Sequence, residues 1–344
     1  MRVVTKAWYA ALCIALVLGG SVHWFAVSHG GDTWRGATLA AMTSGSAERP
    51  YVYRWLVPQT LRLIDEATPP HDRAAIHQQL ADWRDNIMVR FDLPRGLARA
   101  LSPQQDAWLY MRALWFGVIV VSLALFTIGM HQLAKAIWPQ QPQAAIWSVV
   151  LAWSVVLLLP APVIYLYDPP VLALSALALS ALAARRWRLY AVMLLVAGSN
   201  KESSVLLLFM LVWLALRQPR MWLSWPNIAM LALLWAGIRA GALMAFHENP
   251  GVVLKTQYWP YYLEHPHWLL LWIAGVGLLL WQARRMNELL KASAGMITIM
   301  VVAYLLFGKP GELRVLYDVV PLMSLLMVQM GMDARLRLRA RLAS

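Results

Sequence analysis

Residues 108–130 read WLYMRALWFGVIVVSLALFTIGM, 23 positions that are almost wholly apolar. A helix rises 1.5 Å per residue, so about 20 apolar residues cross the ~30 Å hydrocarbon core of a bilayer. Comparable runs occur at 7–27, 144–159, 171–184, 189–198, 203–216, 228–246, 268–281, 292–307 and 315–332. With 108–130 they make ten. The expected fold is all-α: a polytopic helical membrane protein of about ten transmembrane helices, forming a single integral-membrane domain over 1–344. The runs 189–198 and 203–216 are short and separated by Ser199-Asn200-Lys201-Glu202. They read as a hairpin with its polar tip at or slightly inside one membrane boundary, a pattern that marks binding sites in membrane proteins. Run 7–27 carries Trp8, Tyr9, Trp24 and Phe25 and is followed by no small-x-small cleavage site, so it reads as an anchor and not a signal peptide.

Composition agrees. Of 344 residues, 60% are hydrophobic and 14% charged, against about half and a quarter in soluble domains. This excludes a disordered chain and argues against an ordinary cytosolic enzyme. The formal net charge is nevertheless +13. With the N-terminus inside, the inner segments hold 15 cations: Arg2, Lys6, Lys135, Arg185, Arg186, Arg188, Arg217, Arg220, Arg284, Arg285, Lys291, Arg335, Arg337, Arg339 and Arg341. Only Glu288 and Asp333 oppose them. The outer segments hold 14 cations and 15 carboxylates, and Arg239 lies within a span, where it must face protein or water. This is the positive-inside pattern, with both termini cytoplasmic. The surplus is a topology signal, so no nucleic-acid partner is expected, and the Arg-rich tail is expected on membrane lipid headgroups. The single cysteine, Cys13, excludes an intramolecular disulfide and a Cys-based zinc cluster. His265-Pro266-His267 is too isolated for a His metal site, so no metal ligand set is assigned. Walker A, GxGxxG and nucleophile-elbow patterns are missing, which removes nucleotide-driven transport and cytosolic nucleotide-sugar chemistry from the leading options.

The one long outer segment, 28–107, is nearly neutral, with nine Arg and nine Asp/Glu. Ile76, Leu80, Trp83, Ile87 and Phe91 recur at helical spacing, giving an amphipathic helix on the membrane surface or on the bundle. Residues 51–64 form a second candidate helix, interrupted or kinked by Pro58. The segment 247–266 has the aromatic content of an interfacial loop.

The unusual polar groups all fall at outer span ends. Asp32 follows Gly30-Gly31 and reads either as a general base toward a sugar hydroxyl or as the cap of a helix over 33–42. Glu48, Tyr53 and Arg54 lie in a guanidinium- and aromatic-rich stretch; Arg54 suits bidentate phosphate binding, or an interfacial anchor paired with a loop carboxylate. Asp168 precedes Pro169-Pro170 and reads first as an N-cap. Asn200 reads as a cap and Glu202 suits a first helical turn, but Lys201 opposes that helix dipole, which favours an anionic ligand such as a phosphate. Glu312, Arg314 and Asp318 precede the last span; Arg314 and Asp318 are spaced to pair with one another, or Arg314 contacts a phosphate or sugar.

This arrangement resembles the GT-C class of integral-membrane glycosyltransferases: many spans, a long first outer loop with amphipathic helices, and a catalytic carboxylate soon after the first span. Gly31-Asp32 together with Arg49-Pro50-Tyr51-Val52-Tyr53-Arg54-Trp55-Leu56-Val57-Pro58 is similar to the first-loop pattern of its bacterial branches, and Asn200-Lys201-Glu202 and Glu312-Leu313-Arg314 look like polar motifs of uncharacterised relatives. Many members carry an acidic pair in that loop, whereas Asp32 has no acidic neighbour. The resemblance implies a polyprenyl-phosphate-linked sugar donor used at the periplasmic face of a bacterial inner membrane. It implies Asp32 as catalytic base and Arg54, Lys201 and Arg314 as donor ligands. Glu202, Glu312 and Asp168 would position sugar hydroxyls or a divalent cation. The alternatives are a transporter or flippase of a lipid-linked sugar, a surface-polysaccharide polymerase or ligase, and a non-catalytic scaffold.

Overall fold

The structure is a computed structural model and describes residues 2–32, 34–102, 108–159, 164–218, 223–251, 259–308 and 313–343. Among the described residues it is all-helical. The helices in chain order are α1 (Arg2–Val27), α2 (Leu39–Ser44), α3 (Leu56–Ala67), α4 (Pro70–Arg90), α5 (Arg95–Ala100), α6 (Leu109–Ile137), α7 (Pro142–Leu158), α8 (Asp168–Ala183), α9 (Trp187–Asn200), α10 (Val205–Arg217), α11 (Trp225–Ala245), α12 (Trp259–Glu264), α13 (Pro266–Ala283), α14 (Glu288–Phe307) and α15 (Val320–Ala343).

Every apolar run of the sequence is helical, but six helices among the described residues are long and apolar enough to cross a membrane: α1, α6, α11, α13, α14 and α15. The expected count of ten is not confirmed. α7 and α8 are apolar but have 17 and 16 residues, and α9 and α10 have 14 and 13. At 1.5 Å per residue these four reach only ~20–26 Å, less than the hydrocarbon core. Large apolar side chains such as Trp8, Leu233, Leu270 and Ile273 are exposed on the long helices, as a lipid-facing surface requires.

α6 is the centre of the bundle and packs against α1, α7 and α8. Its close approach to α8 depends on small residues: a Cβ at Gly129 would stand 2.9 Å from the Ala176 Cβ and 3.0 Å from its carbonyl carbon. The polar tip between α9 and α10 is recessed. Ser204 Oγ accepts from Trp235 Nε1 at 2.9 Å, and a Cβ at Gly198 would collide with the same ring. Trp235 is the middle residue of the 21 in α11, so the tip sits beside the midpoint of a spanning helix.

The first loop departs from several expectations. Pro58 does not kink its helix: a 3-10 turn covers Tyr51–Tyr53, and α3 begins at Leu56, which puts Pro58 in the first turn, where a missing N–H breaks no intrahelical bond. α4 forms as expected and rests against α6, with Leu80 and Ile87 half-buried and Ile76, Trp83 and Phe91 exposed; its buried residue is Arg84. The stretch before Pro50 also docks on the turn after α11: Arg49 N donates to Pro250 O at 2.7 Å and Asn249 Nδ2 to the Gly45 and Ala47 carbonyls at 2.8 and 2.9 Å. Gly251, at φ +110°, permits this contact, because a Cβ there would lie 2.6 Å from Arg49 O.

Gly129→Leu should therefore force α6 and α8 apart and cost about 1–3 kcal/mol, the usual penalty for overpacking, read as a lowered melting temperature in detergent. Gly117→Leu, where a Cβ meets nothing within 4 Å, should hold or raise it, because leucine is the better helix former.

Candidate active site at the polar helix ends

Asp32 is delivered by the way α1 stops. His29 adopts a left-handed conformation (φ 48°), His29 N donates to Ala26 O and Gly30 N to Phe25 O, both at 3.1 Å, closing a Schellman motif. Gly30 and Gly31 continue at φ +70° and +102°; at Gly30 a Cβ would also press on the Arg112 guanidinium at 3.1 Å. The chain thereby reverses and points Asp32 back at the bundle. Its Oδ2 accepts a short hydrogen bond from Arg112 Nη2, and its Oδ1 accepts from Leu39 N at 3.0 Å. The helix expected over 33–42 starts instead at Leu39 with Thr38 as its cap, whose Oγ1 accepts from Ala41 N at 3.1 Å. Asp32 thus binds the first amide of α2 from outside the capping position. Arg112 is buried and also donates to Ala100 O at 2.6 Å. The Asp32 side chain keeps 25% of its surface exposed, so the held carboxyl group is only part-buried.

A second cluster assembles around the recessed tip. Arg54 grips Glu202 through Nε to Oε2 at 3.1 Å and a shorter Nη2 to Oε1 bond. Its guanidinium carbon lies 4.2 Å from the Tyr167 ring centroid, a cation–π contact strengthened by exclusion of water. Tyr165 stacks on both Tyr51 and Tyr167. Arg239 donates to the Tyr53 and Gly198 carbonyls at 3.1 Å and stands 3.6 Å from Glu202 Oε2, which meets the requirement that it face protein. Tyr53 itself is buried and contributes its carbonyl. Glu202 thus faces two guanidinium groups, Arg54 and Arg239.

Beside it, Lys201 Nζ donates to Asp318 Oδ2 at 2.7 Å and Ser203 Oγ to Oδ1 at 2.8 Å. The two charged side chains are 8% and 7% exposed. Asp318 is therefore the partner of Lys201; the expected pairing of Asp318 with Arg314 falls on a side chain outside the described residues. Asn200 closes α9 instead of capping the next helix: Nδ2 donates to Tyr167 O at 3.0 Å, and its buried Oδ1 accepts from no group among the described residues. Asp168 is the first residue of α8 and not its N-cap; Oδ2 reaches back to accept from Tyr165 N at 2.9 Å and shapes the turn before the helix. Tyr165, Tyr167 and Asp168 make this short turn the hub that links the hairpin tip to the first loop.

The sequence-derived residues thus divide. Tyr53, Arg54, Asp168, Asn200, Lys201 and Glu202 come together. Asp32 is set one step away: Gly31 abuts Leu166, where a Cβ would stand 3.3 Å from the leucine side chain. Glu48 is apart from the cluster, folded over Gly36, where a Cβ would meet its carboxyl carbon at 2.3 Å. Glu312 and the Arg314 side chain lie outside the described residues. Sequence reading missed Arg112, the one charged residue in the run 108–130, and that isolation inside an apolar run was the available signal. Among the described residues no group of three His, Cys, Asp or Glu side chains is placed to hold a metal. Comparison with protein families, with curated proteins and with solved structures finds no match.

Removing one partner from a buried ion pair leaves the other uncompensated, at a cost of about 3–5 kcal/mol. Lys201→Met should show that loss in detergent unfolding, and adding Asp318→Leu should recover most of it.

Proposed function

We propose that the chain is a membrane glycosyltransferase that moves a sugar from a polyprenyl-phosphate-linked donor to an acceptor hydroxyl at the end of the bundle holding Asp32. The observation that carries the reading is the Asp32 carboxylate, anchored by buried Arg112 and the Leu39 amide while its side chain stays part-exposed. A general base needs that combination of fixed direction and access. The arginine-rich helix ends at the opposite side of the bundle favour that side as cytoplasmic, which supports a reaction at the periplasmic face of an inner membrane.

In this reading the acceptor oxygen attacks the anomeric carbon as the carbon–oxygen bond to the lipid phosphate breaks. The bonding pair leaves with the phosphate, and the acceptor proton passes to Asp32. Guanidinium groups stabilise the departing phosphate. Arg54 and Arg239 are the candidates, and Glu202 is the counterion the phosphate would replace: its side chain is 43% exposed against 10% for either arginine. Displaced, the Glu202 carboxylate can accept from a sugar hydroxyl, as can the unmatched Asn200 Oδ1.

The test is release of polyprenyl phosphate from a bacterial lipid-linked-sugar extract by the full-length protein in proteoliposomes, followed by mass spectrometry. Asp32→Asn should lower the rate about 10²–10⁴-fold, and Arg112→Met should also lower it with donor binding retained. Wild-type protein that moves intact donor between leaflets without releasing polyprenyl phosphate would make it a flippase and overturn the proposal.

A further inference from the structure

At the opposite, basic end of the bundle a groove of about 530 Å³ opens between α7 and α15, within the roughly 300–1,000 Å³ of small-molecule sites. Its mouth is polar and lined by Gln140, Gln141, Gln143 and Arg335, with no carboxylate in the lining. Asp333, two residues before Arg335, is occupied by the Gln329 amide, which donates to it at 2.8 Å. Gln329 in turn accepts from Trp138 Nε1 at 3.1 Å and ties α15 to the end of α6. Arg335 is exposed and makes no ion pair among the described residues. Deeper in, Trp147, Leu151 and Met327 make the wall apolar. Gly331 keeps the groove open: a Cβ at that position would meet nothing within 4 Å.

We propose that this groove binds one anionic phospholipid, with its phosphate on Arg335 and the glutamine amides and an acyl chain along Trp147 and Leu151. Two features select this occupant. A guanidinium and amide donors without a carboxylate favour an anion, and the apolar wall continuous with them favours a lipid over free phosphate. Basic pockets between membrane helices recognise phospholipid headgroups by this chemistry. None of these residues belongs to the Asp32 site, so the proposal stands independently of the glycosyltransferase reading.

Native mass spectrometry of the full-length protein, given equal phosphatidylglycerol and phosphatidylcholine, tests it. One phosphatidylglycerol should be retained with roughly fivefold preference, the scale of one arginine near a headgroup. Arg335→Gln should abolish the preference. Gly331→Leu should reduce retention of both lipids by filling the groove, and because leucine is the better helix former the melting temperature should hold or rise. Equal retention of the two lipids by wild type would overturn the proposal. So would phosphatidylglycerol retention unchanged in both variants, or a dimer lost on Gly331→Leu, which would put a second copy in the groove.

Discussion

Lys201 sits inside a bundle of apolar helices, and the fold tolerates it there because Asp318 meets it at 2.7 Å with Ser203 holding the second carboxylate oxygen. Removing an ammonium from water costs several kcal/mol even after relaxation, and only a close, fully hydrogen-bonded counterion offsets that. The same constraint governs the neighbouring residues. Arg54 and Arg239 share Glu202, and Arg112 holds Asp32. Each pair joins segments far apart in sequence, so charge pairing fixes where the first loop, the α9–α10 tip and the turn before α15 sit relative to one another.

The pairing also explains the lengths of the elements. α8 is 16 residues long, α9 and α10 are 14 and 13, and a 3-10 segment over Leu313–Val319 precedes α15. Helices that stop short leave backbone ends in the interior. Those ends are tolerated in a membrane only where protein or water satisfies them. Here Asn200 takes Tyr167 O and Arg239 takes Gly198 O and Tyr53 O. A polar layer recessed beneath one face of the bundle follows from these short helices.

Much of this was legible in the sequence, and the limits have physical reasons. Apolar runs gave the helices because burying backbone polar groups in hydrocarbon leaves little choice of structure. The count of ten spans is not confirmed because hydropathy registers apolarity, which α7 to α10 share with the six longer helices, and not helix length. Arg54 and Lys201 were singled out correctly as anomalous, but their partners lie 148 and 117 residues away, beyond any local pattern. The Lys201–Asp318 pair was likewise invisible: i,i+4 spacing can be read in sequence and tertiary pairing cannot. Arg112 was passed over because the run around it was read as a membrane span.

The central claim is that the recessed layer receives a lipid-linked phosphate in exchange for the Glu202 carboxylate. The most direct measurement is a cryo-electron microscopy map of the protein in nanodiscs with a polyprenyl phosphate. The account expects phosphate density against Arg54 and Arg239 with Glu202 turned away from them. Phosphate bound elsewhere, with the Arg54–Glu202 pair intact, would contradict it.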